Sequence, residues 1–162
     1  MKRLSRSDSR ESPLKLRVRA ARPRDLASII NLDERVTGVP KHEHFRALFR
    51  ALGSIIHPQH ILLIAEENKR GAGIKGFIIG EVREWEFGSR RCGWITAIAV
   101  EPSAREKGLA TLLFESIAEA FREAGVDTIR TLPPRANRTV VSFFRSQGMM
   151  AGPNIELEKK LA

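Results

Sequence analysis

The 162-residue sequence contains no tyrosine, a single cysteine and no long apolar run. The lack of tyrosine excludes a phenol as the proton donor of any site. The single cysteine, Cys92, excludes an internal disulfide and fits a reducing compartment. No apolar stretch approaches the roughly 18 residues that a bilayer-spanning helix needs. We therefore expect a soluble, cytoplasmic protein with no membrane partner.

Aromatic residues make up 6% of the chain and are mostly phenylalanines at apolar positions. Few aromatic side chains are therefore available for stacking on bases, which argues against a nucleic-acid partner. The formal net charge is +9, which favours anionic partners without identifying one. A phosphorylated cofactor, nucleic acid, an acidic protein surface and a merely solvated basic face all remain open at this point.

The length suits one domain. Residues 1–13 are basic and serine-rich and have no apolar core, so they predict a disordered tail rather than a secretion signal. We expect a single domain over residues 14–162.

Apolar periodicity and turn residues predict a mixed α/β fold of order β-α-α-β-β-β-α-β-α-β, with one further strand as an option. The first helix begins at Pro23, and the last one spans Asn137 to Ser146. Alternating apolar residues predict a final strand over Asn154 to Leu161.

The segment from Trp94 to Ala124 predicts a strand, a short turn and a helix that begins near Gly108. Glycine lets a ligand approach the backbone closely. The first amides of a helix have no intrahelical partner and carry partial positive charge, which suits a pyrophosphate. Arg105 and Lys107 add positive charge beside this turn. Taken alone, the turn is also compatible with an ordinary strand-to-helix connection.

Two motifs, in the right order and at the usual spacing, resemble those of the GNAT acetyltransferase superfamily. Ile98-Ala99-Val100-Glu101-Pro102, followed by Arg105-x-x-Gly108-x-Ala110, is similar to its acetyl-CoA motif. Asn137-x-x-Val140-x-x-x-Phe144-x-x-x-Gly148-Met149 is similar to its second motif. The stretch from Arg19 to Leu26 is similar to its usual first strand-to-helix entry, so the resemblance covers the chain from about Leu14 onward.

This resemblance implies a mostly antiparallel central sheet of six to seven strands, flanked by about four helices. It implies an N-acetyltransferase that moves the acetyl group of acetyl-CoA directly to a primary amine of a small molecule or a protein. No metal is implied, and because such domains often form dimers, a homodimer is an open alternative. The implied cofactor-binding residues are Ile98, Ala99, Val100, Arg105, Glu106, Lys107, Gly108, Leu109, Ala110, Thr111 and Asn137.

The sequence departs from the family pattern at its acid–base positions. The usual general-acid tyrosine of the second motif is Phe144, and a glutamate common in several relatives is replaced by Leu132. Two interpretations follow. Water protonates the departing thiolate, or the chain is an acyl-CoA-binding regulatory module with little turnover.

Glu81, in the strand before the central one, is the candidate catalytic base, because a carboxylate in a mostly apolar strand can take the proton of an amine. A solvent-facing glutamate at a strand end is the alternative. The four histidines do not form a recognisable metal-ligand pattern. Arginines around the second motif suit either an acidic ligand or solvent; they are Arg130, Arg135, Arg138 and Arg145.

Overall fold

The computed structural model describes residues 16–52, 59–68, 71, 73–84, 86–105 and 108–161. The elements are β1 (Leu16–Ala20), α1 (Leu26–Thr37), α2 (His42–Leu52), β2 (His60–Glu67), β3 (Ile74–Arg83), β4 (Cys92–Val100), α3 (Leu109–Glu123), β5 (Ile129–Thr131) and α4 (Arg138–Ser146). In the described part of the chain, no helix has the length and apolar character needed to cross a membrane.

The strands form one sheet in chain order, β1-β2-β3-β4-β5. The first three pairings are antiparallel, and β4 pairs with β5 in parallel. Consecutive antiparallel strands need only short connections, whereas the parallel step from β4 to β5 requires a crossover, which α3 supplies.

The sheet is covered on both faces, which explains why β3 is apolar on both of its faces. Phe77 and Ile79 of β3 pack in the apolar cluster that contains α1 and α2. Ile78 and Val82 point the other way, into the cluster formed by α3 and Phe144 of α4.

Phe121 of α3 lies flat against two glycines of the sheet. A Cβ atom at Gly93 would lie 2.7 Å from the Phe121 ring, and one at Gly80 would lie 2.6 Å from its Cζ atom. Both positions therefore require glycine for close helix–sheet packing. This contact fixes how α3 crosses β3 and β4, and thereby where the first turn of α3 lies.

An ion-pair network joins β1, β2 and the 3₁₀ turn before α1. Arg19 donates to both carboxylate oxygens of Asp25, at 2.7 and 3.0 Å, and to Glu66 at 3.0 Å. The Arg22 amide also donates to Asp25, at 2.7 Å. The Arg19 guanidinium is the main cause of the lowered pKa of the Asp25 and Glu66 carboxyls, and these partners raise the pKa of Arg19.

The predicted element order is confirmed from β1 to α4, as are the mixed α/β class and the four helices. The expected six to seven strands are wrong, because the described residues form five. The predicted strand over Asn154 to Leu161 is not formed, since this segment has no neighbouring strand in the part of the chain that the structure describes and its side chains are exposed. The predicted disordered tail over residues 1–13 lies outside the described residues.

We expect Asp25→Asn to lower the free energy of unfolding by about 1.5–3 kcal/mol at pH 7, since it removes charged hydrogen bonds from a buried position. The pKa of Asp25 is depressed in the folded state, so its contribution is present above the ordinary value of 3.8 and is lost as the pH falls below it. Urea unfolding at pH 7, 5 and 3 measures this difference.

The exposed Glu115→Gln variant is the control and should unfold like the unmodified protein at each pH. An Asp25→Asn deficit that stays constant down to pH 3 would show that the ion pair does not carry the effect.

Candidate active site

β4 contains an irregularity at Thr96 that changes the course of the strand. Ile79 pairs with Ala97 and Gly80 with Ile95, so Thr96 is the extra residue of a β-bulge. A bulge bends its strand and increases the local twist. The part of β4 after Thr96 therefore runs in a different direction from the part that pairs with β5.

β4 and β5 pair only before this bulge. Their pairing covers only Gly93 to Ile95 of β4, opposite Ile129 to Thr131 of β5. The Thr131 hydroxyl donates to the Ile95 carbonyl oxygen at 2.9 Å. These two residues are the last pair of the β4–β5 contact. Among the described residues, no strand pairs with that edge of β4 beyond Ile95, so an opening lies between the two strands.

The pairing of β4 with β3 determines which backbone groups of β4 face this opening. The Glu101 amide donates to the Lys75 carbonyl at 2.8 Å, and antiparallel pairs alternate between bonded and non-bonded. Glu101 and Ala99 therefore turn their backbone groups to β3, whereas Ile98 and Val100 turn theirs into the opening. Two amides and two carbonyls, spaced as on a strand edge, therefore face the opening.

The first turn of α3 closes the far end of this opening. Gly108, the residue before α3, has φ 71° and ψ 9°, the left-handed conformation that favours glycine. Among the described residues no side chain caps this end of the helix, and the first intrahelical bond runs from the Leu112 amide to the Gly108 carbonyl at 3.0 Å. The amides of Leu109, Ala110 and Thr111 thus lack intrahelical acceptors.

A cleft of about 240 Å³ lies over these amides. Apart from Gly108 and its chain neighbours, no atom of the described residues lies within 4 Å of the position that a Gly108 Cβ would take. The cleft brings together six of the predicted cofactor-binding residues with Ala104 and Phe143; these six are Val100, Arg105, Gly108, Leu109, Ala110 and Thr111. Glu106 and Lys107, predicted for the same turn, lie outside the described residues.

Asn137 is the residue before α4, and its side chain caps that helix. Its Oδ1 atom accepts from the Val140 amide at 3.2 Å, which leaves the Nδ2 group as a donor. At the other end of α4, Gln147 donates to the Thr111 hydroxyl at 3.3 Å. This bond connects α4 to the first turn of α3 and is a contact that the motif did not predict.

Glu81 lies on the face of β3 that carries Ile79, opposite α3. Its carboxylate accepts from Arg83 Nε at 2.5 Å, and its Oε2 atom lies 3.5 Å from Nδ1 of His60 on β2. The side chain is 20% exposed, so it is neither buried nor freely solvated. The sequence did not indicate that His60 lies beside Glu81, since only the β2–β3 register brings the two together.

Phe144 and Leu132, the two positions that depart from the acetyltransferase pattern, differ in environment. The Phe144 ring is buried against Phe143 and Phe114, with ring centroids 5.2 and 6.3 Å away. Leu132 is exposed beyond the end of β5. Neither side chain can transfer a proton.

α1 carries charged groups close to the end of β4. Arg35 donates to Glu101 at 2.6 Å, which joins α1 to the residue after β4. Asp33 is buried and pairs with Lys41 at 2.8 Å, so its carboxylate is engaged within the protein. Among the described residues, no group of three or more histidine, cysteine, aspartate or glutamate side chains could hold a metal ion.

The family model for the Acetyltransferase (GNAT) family matches residues 26–149. The chain belongs to this family. It is therefore an acyltransferase. No curated protein sequence matches the chain significantly.

Solved structures with the same fold include several aminoglycoside acetyltransferases. AAC(6')-Iy in complex with CoA has a TM-score of 0.78 and 15% identity, over 94% of this chain and 99% of that one. AAC(6')-Ih from Acinetobacter baumannii has a TM-score of 0.75 and 13% identity, over 91% and 99%. A transcriptional regulator from Bacillus halodurans C-125 has 0.72 and 18%, over 90% and 99%. At these identities the likeness shows the fold.

Proposed function

We propose that this acetyltransferase binds acetyl-CoA between β4 and β5 and transfers the acetyl group directly to a primary amine. The observation that carries the proposal is the unpaired edge of β4 at Ile98 and Val100, which leads to the uncapped first turn of α3. A strand edge suits an extended amide chain, and an uncapped helix start suits a pyrophosphate.

The binding roles follow from the backbone. Ile98 and Val100 offer their amides and carbonyls to the pantetheine arm, with Ala99 between them. Gly108 and the amides of Leu109, Ala110 and Thr111 hold the pyrophosphate. Arg105 adds positive charge at the cleft, and we assign the neighbouring Glu106 and Lys107 to the same turn. The Nδ2 group of Asn137 donates to the arm further along. A fold relative bound to CoA, AAC(6')-Iy, supports this assignment.

When bound, acetyl-CoA supplies the acetyl group as an electrophilic thioester. The Ile98 amide is the first amide beyond the bulge that faces the opening, and we assign it as the donor to the carbonyl oxygen on which negative charge develops. The bulge at Thr96 turns this amide away from β3, so the protein needs no side-chain donor at that point.

Glu81 and His60 form the proton-accepting pair in this proposal. The carboxylate is placed to orient the imidazole, and imidazole is the commonest general base of enzymes. Their separation of 3.5 Å is long for a hydrogen bond, which is usual for catalytic contacts before substrate binds. Since Phe144 cannot donate, water protonates the departing thiolate.

The acceptor is a small molecule or a protein that presents a primary amine. AAC(6')-Iy has been solved with the bisubstrate analogue CoA-S-monomethyl-acetylneamine, and another fold relative has been solved with sisomicin. Those aminoglycosides carry several positive charges, whereas this chain carries a net charge of +9 and repels polycations at long range. We therefore expect acceptors of low positive charge to react faster.

Release of CoA thiol from acetyl-CoA should exceed background with at least one member of an amine panel. The panel contains amino acids, monoamines, peptides with a free N-terminus and an aminoglycoside. Each product is checked by mass spectrometry for one added acetyl group. Saturable acetyl-CoA binding without thiol release for any amine would instead support the acyl-CoA-binding regulatory module.

Gly108→Ala should weaken CoA binding about tenfold or more, because a side chain at this left-handed position strains the turn and covers the amides. Isothermal titration with CoA measures the affinity. Gly38→Ala is the matched control, since Gly38 has φ 72° and ψ 7° at the end of α1, far from the cleft in the chain, and also has open space around it. Equal affinity of the two variants would contradict the proposed turn.

Glu81→Gln and His60→Gln should each lower kcat by about 10²–10⁴-fold and leave the affinity for CoA unchanged, if the pair accepts the proton of the amine. The loss should diminish at high pH, where the amine is already deprotonated. Exposed Glu119→Gln, in α3, is the control. Unchanged kcat in both variants would remove the pair from the mechanism while leaving the binding proposal intact.

A further inference from the structure

Four residues form one transverse row across the sheet. His60 on β2 pairs with Glu81 on β3, and Glu81 pairs with Trp94 on β4. Trp94 pairs in turn with Arg130 on β5. Residues paired in register share a face of the sheet, and the chain neighbour of Trp94 packs on α3, so the row lies on the opposite face. The proposed proton-accepting pair is at one end of this row, and an arginine is at the other.

The donors at the arginine end of the row lack acceptors. The Nε1 atom of Trp94 and the Nη1 atom of Arg130 are buried, and neither has a hydrogen-bond partner in the described part of the chain. Indole and guanidinium nitrogens can only donate, so both require an acceptor. Buried donors are nearly always paired in folded proteins, and a buried charge without a partner is costly. The two donors therefore indicate a ligand that brings oxygen atoms.

Arg83 holds the indole of Trp94 in the row. The guanidinium carbon of Arg83 lies 4.9 Å from the centroid of the Trp94 ring, and its Nε atom donates to Glu81 at 2.5 Å. A guanidinium above an aromatic face stabilises the ring in that orientation. Because Nε1 lies on the edge of the indole, this contact leaves the donor available to a ligand.

The cavity beside β5 has a positively charged lining. It measures about 480 Å³, and both Trp94 and Arg130 line it. Its charged lining residues are Arg130 and Arg145, and no described aspartate or glutamate lines it. Guanidinium groups bind carboxylates through charge-assisted hydrogen bonds. The charge of the lining therefore favours a carboxylate over a neutral carbonyl group.

The phosphates of the proposed cofactor are poorly placed for these donors. The cleft assigned to the pyrophosphate adjoins Val100 at the end of β4, whereas Arg130 pairs with Trp94 near the start of that strand. The two positions are roughly 20 Å apart at the usual rise of a strand. Glu81 is closer, since only two strand spacings, about 10 Å, separate it from Arg130. The donors therefore belong to the acceptor side of the proposed reaction.

We propose that the acceptor carries a carboxylate several bonds away from its primary amine, and that Arg130 and Trp94 bind this carboxylate. The inference rests on the proposed acetyl transfer, in which Glu81 and His60 accept the proton of the amine. The amine then lies toward Glu81, and the carboxylate accepts from Nη1 of Arg130 and Nε1 of Trp94. An ω-amino acid spans this separation, whereas an α-amino acid carries both groups on one carbon. Arg130 and Trp94 determine specificity and take no part in proton transfer.

Binding of a product analogue tests the recognition without turnover. N-acetyl-6-aminohexanoate and its carboxamide have the same length and differ in charge at the end that we assign to the two donors. The carboxylate should shift the indole N–H resonance of Trp94 in NMR spectra, and the carboxamide should bind about tenfold more weakly or less. Trp94→Phe identifies which of the two indole resonances belongs to Trp94. Equal affinity for the two compounds would contradict the proposal, whether or not any amine is acetylated.

Arg130→Gln should raise the Kd of N-acetyl-6-aminohexanoate about tenfold or more and leave the affinity for CoA unchanged. Arg130→Lys keeps the charge without the planar set of donors, so it should retain part of the preference for the carboxylate. Arg135→Gln is the matched control, since it removes the same charge from an exposed arginine that does not line the cavity. This variant should bind both compounds like the unmodified protein.

Two results with Arg130→Gln would overturn the proposal. A loss of affinity for CoA would assign the buried donors to the cofactor. A lower free energy of unfolding with an unchanged Kd for the carboxylate would show that Arg130 has a structural role only. Urea unfolding of the same variant measures the second quantity.

Charge reversal distinguishes this inference from the proposed transfer itself. In the unmodified protein, kcat/KM for 6-aminohexanoate should exceed that for 6-aminohexanamide by about 10–100-fold. In Arg130→Glu the order should reverse, and 1,6-diaminohexane should become the better acceptor. If the acid and the amide react equally in both proteins, the transfer is retained and the carboxylate site is wrong. If no amine reacts while the carboxylate analogue still binds at Arg130, the carboxylate site is retained and the proposed transfer is wrong.

Discussion

Thr131 donates its hydroxyl to the Ile95 carbonyl at 2.9 Å, and beyond this bond the two parallel strands part. The rest of the candidate site depends on that separation. The bulge at Thr96 turns the following residues, so the edge at Ile98 and Val100 has no strand partner in the described chain. Had β5 continued beside β4 well beyond Thr131, it would have occupied the edge that the proposed cofactor requires.

The packing of α3 fixes the other half of the site. Phe121 rests on Gly93 and Gly80, where any side chain would come within about 3 Å of the ring. Because β4 carries both Gly93 and the open edge, the same strand positions the helix and presents the ligand-binding backbone. Gly108 can then direct the first amides of α3 at the opening, and the bond from Gln147 to Thr111 keeps α4 against this turn. These contacts suit a site made mainly of backbone groups. Such a site depends little on which side chains are present, so it tolerates low sequence identity among proteins of one fold.

The sequence predicted the element order from β1 to α4 and the glycine turn before α3, because both depend on local chemistry. Apolar periodicity located α1 to α4, and Gly108 was predicted from its place between a strand and a helix. The bulge at Thr96 could not be predicted, since a threonine in a β-branched run carries no local signal for it. His60 was missed for a related reason: its approach to Glu81 comes from the β2–β3 register, which residues far apart in the chain determine together.

The predicted strand over residues 154–161 shows that a local pattern can give the correct propensity of a segment and still predict the wrong structure. Alternation over residues 154–161 favours a strand, but a strand also needs a neighbour, and the described chain supplies none at that segment. Among the described residues β5 has a neighbouring strand on one edge only, and Trp94 Nε1 and Arg130 Nη1 have no hydrogen-bond partner. A sheet edge without a strand and a strand pattern without a sheet are unfavourable in one chain. The alternation therefore gives strand propensity without a neighbouring strand among the described residues to realise it.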